Sequence, residues 1–572
     1  MGRKYIILLI AAAIVFSYAN FSSACTTTLV TKGASADGSV MVSHSDDDEL
    51  GDQRIIYVPA ADHKPGSKRP VYYDEVAFET TRNRYIGTSR GPGYDTPGPK
   101  NIPIGYIDQV PHTYAYFDGN YGIMNEHQLM FGECTNGAKI ELKPETGKRI
   151  FYSAELSRVA LERCKTARGA VELMGELIDK YGYYGTGETL LVGDTKEGWV
   201  FEMACGTLDE KGGLWVARKI PDGEVFVAAN EFRIREVDQD DPDMLYSANL
   251  FDVAEKRGWW KPEDGKLDWL KAVSNGEYNH PYYSLRRVWS VLRRVKPSAD
   301  LSPWVEDSYT KAYPFSVKPD KKLTVQDVMA LHRDHYEGTE FDMTQGLAAG
   351  PFRSPYRWIG KYDGAQNNVG DPDTAMRGAW ERPLSVFYCG YMFVNQARGW
   401  LPNEIGGVCW LGLDKPYLTC FVPFYSGVAD LPSAYQTGST GEFNRNTAWW
   451  AFNFVANWAH LKFDYMKKDI IAKQSEIENR EFMKQAEVDA KARSLYEKDP
   501  KSAKKYLTKY CLDNANAVVK EWWDLADMLI VKYNDGYINI PDIAQEVGYP
   551  EEWLKKAGYS KGPISYKKNE VE

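Results

Sequence analysis

The sequence predicts an α+β or layered α/β protein in which strands and helices share one body. Strand-like segments dominate residues 25–235, short helices and loops fill 236–345, and apolar strands return over 383–425. The sequence shows no internal repeat and no low-complexity linker between these parts, which favours one layered body over separate domains. Of the 572 residues, 43% are hydrophobic and 13% aromatic, enough for a large core and too many for a disordered chain.

The first strand-like segment predicts a β-hairpin. Thr26–Val30 is rich in β-branched residues, residues 40–42 resume the apolar run, and Asp37-Gly38 lies at the turn between them. A similar pattern recurs over residues 115–140, with a turn near residues 122–126.

Helical periodicity over residues 151–180 predicts helical structure that ends near Gly182. Residues 186–235 then alternate in the manner of strands. Residues 446–535 combine charged faces with Trp and Leu anchors. We expect this last region to be helical and to pack on the body rather than to form a coiled coil that binds a partner.

The first 24 residues have the pattern of a secretory signal peptide. Arg3 and Lys4 form a positive start, residues 5–16 are apolar, and small residues at 22–24 precede a cleavage site. A buried N-terminal helix is the alternative. The apolar run is short for a bilayer span, and no later stretch approaches about 20 apolar residues. We therefore expect an exported protein, periplasmic or extracellular, without a membrane span.

Charge and cysteine content exclude several classes of protein. A net charge of −10 without a Lys/Arg-dense face argues against nucleic-acid binding. Eight cysteines without CxxC spacing predict neither a disulfide scaffold nor a zinc knuckle. His332 and His335 could share a helical face, but the sequence shows neither an HExxH arrangement nor a third ligand. We expect hydrogen-bonded or surface histidines there, and no metal or cofactor.

Cleavage after Ala24 would make Cys25 the first residue of the mature chain. Its thiol and a free α-amino group would then lie on one residue. The amine titrates near ~7.7–8.0 and a free thiol near ~8.5, so the amine can accept the thiol proton close to neutral pH. Two alternatives remain, a structural cysteine and a lipoprotein acylation site, although position −3 holds Ser22 rather than Leu.

Residues 25–39, CTTTLVTKGASADGS, resemble the mature start of the cysteine dipeptidases of the dipeptidase A type. These enzymes are N-terminal-nucleophile (Ntn) hydrolases related to penicillin V acylase and bile-salt hydrolase. Further blocks agree in the same order along the chain, at residues 121–129, 187–189, 193–194, 197–199, 336–342, 350–352, 396–402 and 423–425. The resemblance covers most of residues 25–470 and continues weakly to about residue 560.

The resemblance implies a four-layer αββα sandwich, two sheets between helical layers, for a catalytic domain at residues 25–470. Residues 1–24 would be the signal peptide and residues 471–572 a helical extension packed on the body. It also implies a thiol-dependent dipeptidase that acts on dipeptides or short peptides, and it is compatible with an oligomer.

The resemblance carries over to the supporting residues one by one. The superfamily places an Arg near the nucleophile and an Asp three positions later, and those positions hold His44 and Asp47 here. Asp47 is expected to hold the α-amino group by a charge-assisted hydrogen bond. His44 would give the thiolate a weaker, pH-dependent positive charge than Arg does. A solvated acidic turn is the alternative for residues 45–49.

Asn125 and Asn230 occupy positions at which the superfamily stabilises the oxyanion, and a turn role is the alternative for both. Arg353 or Arg382 could bind a substrate carboxylate. Two other functions stay open from the sequence: an amide acylase of the penicillin V or bile-salt type, and a lipid-anchored binding protein acylated at Cys25.

Overall fold

The structure is a computed structural model, and it describes residues 25–48, 51–73, 103–206, 213–278, 281–359 and 381–559. The predicted signal peptide, residues 1–24, lies outside the described residues. None of the helices in these ranges is both long enough and apolar enough to cross a bilayer.

The strands of the described residues are short and mostly buried. In chain order they are β1 (Thr26–Val30), β2 (Val40–Asp47), β3 (Ile56–Val58), β4 (Ala61–Asp62), β5 (Lys68–Tyr72), β6 (Pro103–Asp108), β7 (His112–Thr113), β8 (Tyr116–Asp118), β9 (Gly122–Asn125), β10 (Met130–Asn136), β11 (Gly187–Gly193), β12 (Gly198–Cys205), β13 (Gly213–Lys219), β14 (Val225–Ala228), β15 (Glu236–Val237), β16 (Met244–Tyr246), β17 (Leu267–Asp268), β18 (Ser316–Val317), β19 (Cys389–Ala397), β20 (Gly407–Leu413), β21 (Val422–Tyr425), β22 (Ile538–Ile540) and β23 (Ile543–Gln545).

The two longest helices of the described residues lie near the C-terminus, and the other helices are much shorter. In chain order the helices are α1 (Ser153–Arg163), α2 (Ala167–Tyr181), α3 (Leu250–Lys256), α4 (Trp269–Val273), α5 (Leu285–Val295), α6 (Val325–His332), α7 (Asn403–Gly406), α8 (Ser433–Gln436), α9 (Ala448–Trp458), α10 (Phe463–Tyr496), α11 (Pro500–Lys532) and α12 (Glu551–Lys556). This mixture of strands and helices confirms the predicted α+β class.

Two antiparallel sheets dominate the strand part of the fold. The seven-stranded sheet has the order β18-β14-β1-β2-β19-β20-β21, and the eight-stranded sheet has the order β16-β13-β12-β11-β10-β9-β8-β3. The predicted hairpin is confirmed as β1 and β2, which pair with the register Thr27↔His44. The strand segments predicted over residues 186–235 are confirmed as β11 to β14.

The two sheets approach each other closely where β10 passes over β1 and β2. Gly132 of β10 makes this possible, because a Cβ at that position would lie 2.3 Å from Thr27 Oγ1. Such a distance is far inside van der Waals contact, so a larger residue would push the sheets apart. β10 is therefore held directly beside the β1–β2 hairpin.

Helices contact both of these sheets. Residues 151–180 form two helices rather than one, α1 and α2, and α2 ends at Gly182, whose φ of 75° requires glycine-like freedom. The predicted C-terminal helices are confirmed as α9, α10 and α11. They pack on the seven-stranded sheet, where Trp410 of β20 stacks on Phe482 of α10 with ring centroids 4.3 Å apart.

A buried histidine joins α6 to the centre of the seven-stranded sheet. His332 is the last residue of α6, and its Nε2 lies 2.8 Å from Ser43 Oγ of β2. Burial lowers the pKa of His332 from 6.5 to about 3, because the imidazolium would lose its hydration. The unfolded chain therefore binds a proton at this residue below pH 6.5 while the folded chain does not.

This pKa shift predicts a pH-dependent loss of stability that His332→Gln should remove. The contribution of neutral His332 to the free energy of unfolding is complete above pH 6.5 and is lost as the pH falls toward about 3. We expect the free energy of unfolding of the wild type, relative to that of His332→Gln, to fall by about 2 kcal/mol between pH 7.5 and 5. Urea unfolding of both proteins across this range measures it, and parallel curves would contradict the assignment.

Candidate active site

The pairing of β1 with β2 decides which side chains face Cys25. The register Thr26↔Ser45 places Cys25, the residue before β1, opposite Asp46. Because successive strand residues point to opposite faces, Asp46 and His44 share the face of the Cys25 side chain, and Asp47 points away from it. Accordingly, the Cys25 Sγ lies 4.0 Å from Asp46 Oδ1.

Cys25, His44 and Asp46 form a compact buried group, called here the Cys25 cluster. One sulfur, nitrogen or oxygen atom from each residue lies within 4.8 Å of the other two, and each residue is at most 1% exposed. Asn120, in the turn between β8 and β9, holds Asp46 by donating a hydrogen bond to Oδ2. A thiolate, an imidazole and a carboxylate are a ligand set that suits Zn²⁺, and an ion bound there would occupy the sulfur.

His44 is neutral at physiological pH. Burial lowers its pKa from 6.5 to about 4, although the hydrogen bond to the Glu133 carbonyl and the charge of Asp47 oppose the shift. Nδ1 lies 2.9 Å from the Glu133 carbonyl oxygen, and Nε2 has no hydrogen-bond partner among the described residues. The expectation that His44 supplies a pH-dependent positive charge is therefore corrected, because its imidazolium would be desolvated.

The buried positive charge beside the Cys25 backbone comes from Arg287 of α5, a residue that no local pattern in the sequence assigns to the site. Its guanidinium is fully buried and donates to the Cys25 carbonyl at 2.8 Å, to Thr26 Oγ1 at 2.8 Å and to Asn230 Oδ1 at 2.7 Å. The available signal was the first of two Arg pairs in α5, whose other residues are apolar apart from Ser290. That signal does not say which strand the arginine contacts.

Asp47 lies in a fully buried ion pair. Arg382 Nη2 lies 2.5 Å from Asp47 Oδ2, and both side chains are 0% exposed. Ser45 Oγ donates to the same oxygen at 3.0 Å, while Oδ1 has no hydrogen-bond partner among the described residues. The expectation that Arg382 binds a substrate carboxylate is corrected, because its charge is already matched by Asp47.

Asn230 lies at the site, two residues after the end of β14. Its φ of 60° is left-handed, and its Nδ2 donates to the Thr135 carbonyl at 2.7 Å. With Oδ1 bound to Arg287, one of the two amide hydrogens of Asn230 is left for another acceptor. This arrangement keeps the predicted oxyanion role open.

Asn125 has a structural role instead. Its Nδ2 donates to the carbonyls of Leu161 and Cys164, both at 2.9 Å, and its Oδ1 accepts from the backbone N–H groups of His127 and Leu129. Both amide hydrogens are therefore used to tie the β9–β10 turn to α1. The expected oxyanion role of Asn125 is corrected on this ground.

Arg353 is not brought to the Cys25 cluster. It is exposed and lines a small surface cavity together with Glu552 and Lys556 of α12. The expected substrate contact is therefore corrected for this residue as well.

His332 and His335 do not converge on one point. His335 lies beyond the end of α6, and its Nδ1 is 3.2 Å from Glu337 Oε1, whereas His332 hydrogen-bonds Ser43.

The Asp47–Arg382 ion pair predicts strong coupling between two substitutions. Asp47→Asn alone leaves the buried Arg382 guanidinium without its counter-charge, and Arg382→Met alone leaves the buried Asp47 carboxylate without its own. Each single substitution should therefore cost about 3–5 kcal/mol of stability. We expect the double variant to be markedly more stable than the sum of the two losses implies. Urea unfolding of the four proteins measures the coupling, and simple additivity would contradict the pairing.

The chain has relatives that match most of its length. A probable dipeptidase from Salmonella dublin is 26% identical over 425 residues, covering 73% of this chain and 84% of that protein. Dipeptidase A from Lactobacillus helveticus is 24% identical over 446 residues, covering 76% and 81% respectively. Probable dipeptidase B from Streptococcus pyogenes serotype M1 is 22% identical over 526 residues, covering 91% and 95%.

Among solved structures, penicillin V acylase from Agrobacterium tumefaciens matches with 10% identity and a TM-score of 0.28, covering 70% of this chain and 86% of that chain. The sequence profile of peptidase family C69 matches residues 24–476. The chain therefore belongs to peptidase family C69.

Proposed function

We propose that this protein is an exported dipeptidase of the Ntn-hydrolase type, with Cys25 as its nucleophile after removal of residues 1–24. The observation that carries the proposal is the position of Cys25. It follows the small residues of a cleavage site, the family profile begins at residue 24, and the thiol lies in the Cys25 cluster. Relatives named dipeptidases support dipeptides as substrates. We place this chemistry in a four-layer αββα arrangement at residues 25–470, with the helical region following.

The α-amino group of mature Cys25 acts as the base in this mechanism. It takes the thiol proton, giving a thiolate and an ammonium group on the same residue. Asp47 is suited to orient it, because Oδ1 is buried without a hydrogen-bond partner among the described residues. Arg287 fixes the carbonyl of the same residue, so the amine, the carbonyl and the thiol of Cys25 have separate anchoring groups.

Bond cleavage then follows the acyl-enzyme route. The Cys25 sulfur adds to the peptide carbonyl carbon, and the developing oxyanion accepts a hydrogen bond from the remaining amide N–H of Asn230, while His44 stays neutral beside it. The carbon–nitrogen bond breaks as the leaving amine takes the proton from the ammonium group. Water, deprotonated by the same amine, hydrolyses the thioester and frees the sulfur.

The two other functions have less support. An acylase of the penicillin V or bile-salt type would use the same nucleophile, but the sequence relatives described above are named dipeptidases. A lipid-anchored protein needs Cys25 at the surface to carry acyl chains. Cys25 is 0% exposed, with its sulfur beside Asp46 and its carbonyl bound by Arg287.

Processing and activity should be coupled if the amine is the base. A chain that retains Ala24 ahead of Cys25 has an amide in place of the amine, and an amide cannot accept a proton near neutral pH. We expect such a chain to fold and to hydrolyse alanyl-alanine at least about 100-fold more slowly than the mature chain. Intact mass verifies each N-terminus, Cys25→Ser is the control for the nucleophile, and equal rates would refute the mechanism.

The two asparagines provide a matched test of the oxyanion assignment. Asn230→Gly keeps the left-handed backbone but removes the amide donor, so we expect kcat to fall about 10²–10³-fold with little change in KM. Asn125→Ala should leave kcat intact and lower the free energy of unfolding by about 1–3 kcal/mol for each group left unsatisfied. Steady-state kinetics and urea unfolding are measured for both variants. An equal loss of kcat in Asn230→Gly and Asn125→Ala would contradict the assignment.

A further inference from the structure

Two glutamates lie buried side by side in the eight-stranded sheet. Glu133 of β10 and Glu188 of β11 are both 0% exposed, and the register Thr135↔Glu188 makes them diagonal neighbours on one face of the sheet. Thr135 Oγ1 donates to Glu133 Oε1 at 3.0 Å, and the Tyr152 hydroxyl donates to Glu188 Oε1. The pair is therefore held in place from both sides.

Glu133 belongs to the wall of the Cys25 cluster. Its backbone oxygen and nitrogen lie 2.9 and 3.2 Å from His44 Nδ1, and its carboxyl group receives a hydrogen bond from the Cys25 thiol. Within the described residues β10 pairs with β9 only at Met130↔Met124. The backbone N–H and C=O of Glu133 therefore face the His44 imidazole at a position where a neighbouring strand would otherwise pair. This opening between β9 and β10 lets the Cys25 sulfur lie next to the Glu133 carboxyl group.

The charge of Glu133 is not matched by the residues around it. The residue makes no ion pair within the described part of the chain, and its side-chain hydrogen-bond partners there are the Thr135 hydroxyl, the Cys25 thiol and the Glu188 carboxyl, none of which is a cation. Burial, and then the neighbouring Glu188 carboxyl, raise the pKa of Glu133 well above its usual range. Two adjacent buried carboxylates are costly, so this pair needs either a shared proton or a cation.

We propose that Glu133, supported by Glu188, binds the α-ammonium group of the dipeptide substrate and thereby selects peptides with a free amino terminus. This inference rests on the proposed function. In a dipeptide the amino nitrogen lies about 2.5 Å from the carbonyl carbon under attack, and the sulfur approaches that carbon from about 3–3.5 Å. A group that binds the ammonium must therefore lie beside the nucleophile, as Glu133 does.

Binding exchanges one positive charge for another. The ammonium group donates a hydrogen bond to Glu133 Oε2, and the proton that the carboxyl pair held leaves to solvent. A substrate that lacks the amino group leaves the pair without a cation and gains nothing from it. Sites built around a buried polar group discriminate strongly against analogues that lack its partner.

The test compares alanyl-alanine with propionyl-alanine, which differs only by the missing amino group. We expect the mature wild-type enzyme to prefer alanyl-alanine by about 100-fold or more in kcat/KM. Glu133→Gln should lower kcat/KM for alanyl-alanine by about 30-fold or more, chiefly through KM, and should lower kcat/KM for propionyl-alanine much less. Glu188→Gln should act in the same direction.

Glu202→Gln is the matched control. Glu202 is also a fully buried glutamate of the same sheet, but it accepts hydrogen bonds from the Arg233 and Ile234 backbone and from Trp269. Its substitution should leave the preference for alanyl-alanine unchanged.

The outcomes separate the inference from the function on which it rests. No hydrolysis of either substrate by the mature wild type would refute the dipeptidase proposal itself. The inference is overturned if the wild type cleaves both substrates equally, a comparison that needs no variant to fold. It is also overturned if Glu133→Gln slows both substrates alike, since Glu133 would then act on Cys25 and not on the substrate ammonium group.

Discussion

The buried guanidinium of Arg287 is the interaction on which the geometry of the site depends. It joins the start of β1 to the end of β14 by donating to the Cys25 carbonyl, to Thr26 Oγ1 and to Asn230 Oδ1. Burial and the nearby Arg382 both lower its pKa, so the protein holds this cation at a cost. The cost is offset by several charge-assisted hydrogen bonds that fix the distance between the proposed nucleophile and the proposed oxyanion donor.

Local patterns in the sequence predicted the elements but not the contacts that connect them. The β1–β2 hairpin follows from β-branched runs on either side of Asp37-Gly38, and both are adjacent in sequence. Arg287 is 262 residues from Cys25, and nothing in the local sequence of α5 states that it reaches β1. Asp46 could have been predicted, since strand alternation places it on the face of Cys25, but spacing taken from the superfamily drew attention to Asp47.

The two asparagines show why residue type and motif position were insufficient to predict which side chain could stabilise the oxyanion. Asn125 and Asn230 are both buried, and both lie beside a turn or a strand end. They differ in what surrounds the amide: the end of α1 uses both hydrogens of Asn125, while Thr135 uses one hydrogen of Asn230. That difference arises from how α1 packs on β9, which is a property of the tertiary structure and not of either sequence segment.

The charges around Cys25 are divided between its two ends. Carboxyl groups of Asp46 and Glu133 face the sulfur, whereas the Arg287 guanidinium faces the backbone carbonyl. An anionic carboxylate beside the sulfur disfavours a thiolate. Neutral His44 supplies no opposing charge. The Glu133–Glu188 pair holds either a proton or, under the inference above, the substrate ammonium group, so its net charge beside the sulfur changes little when the substrate binds. Under the proposed mechanism the thiolate is therefore stabilised chiefly by the ammonium group that forms on Cys25 itself, and this is why the mechanism depends on a free α-amino group at that residue.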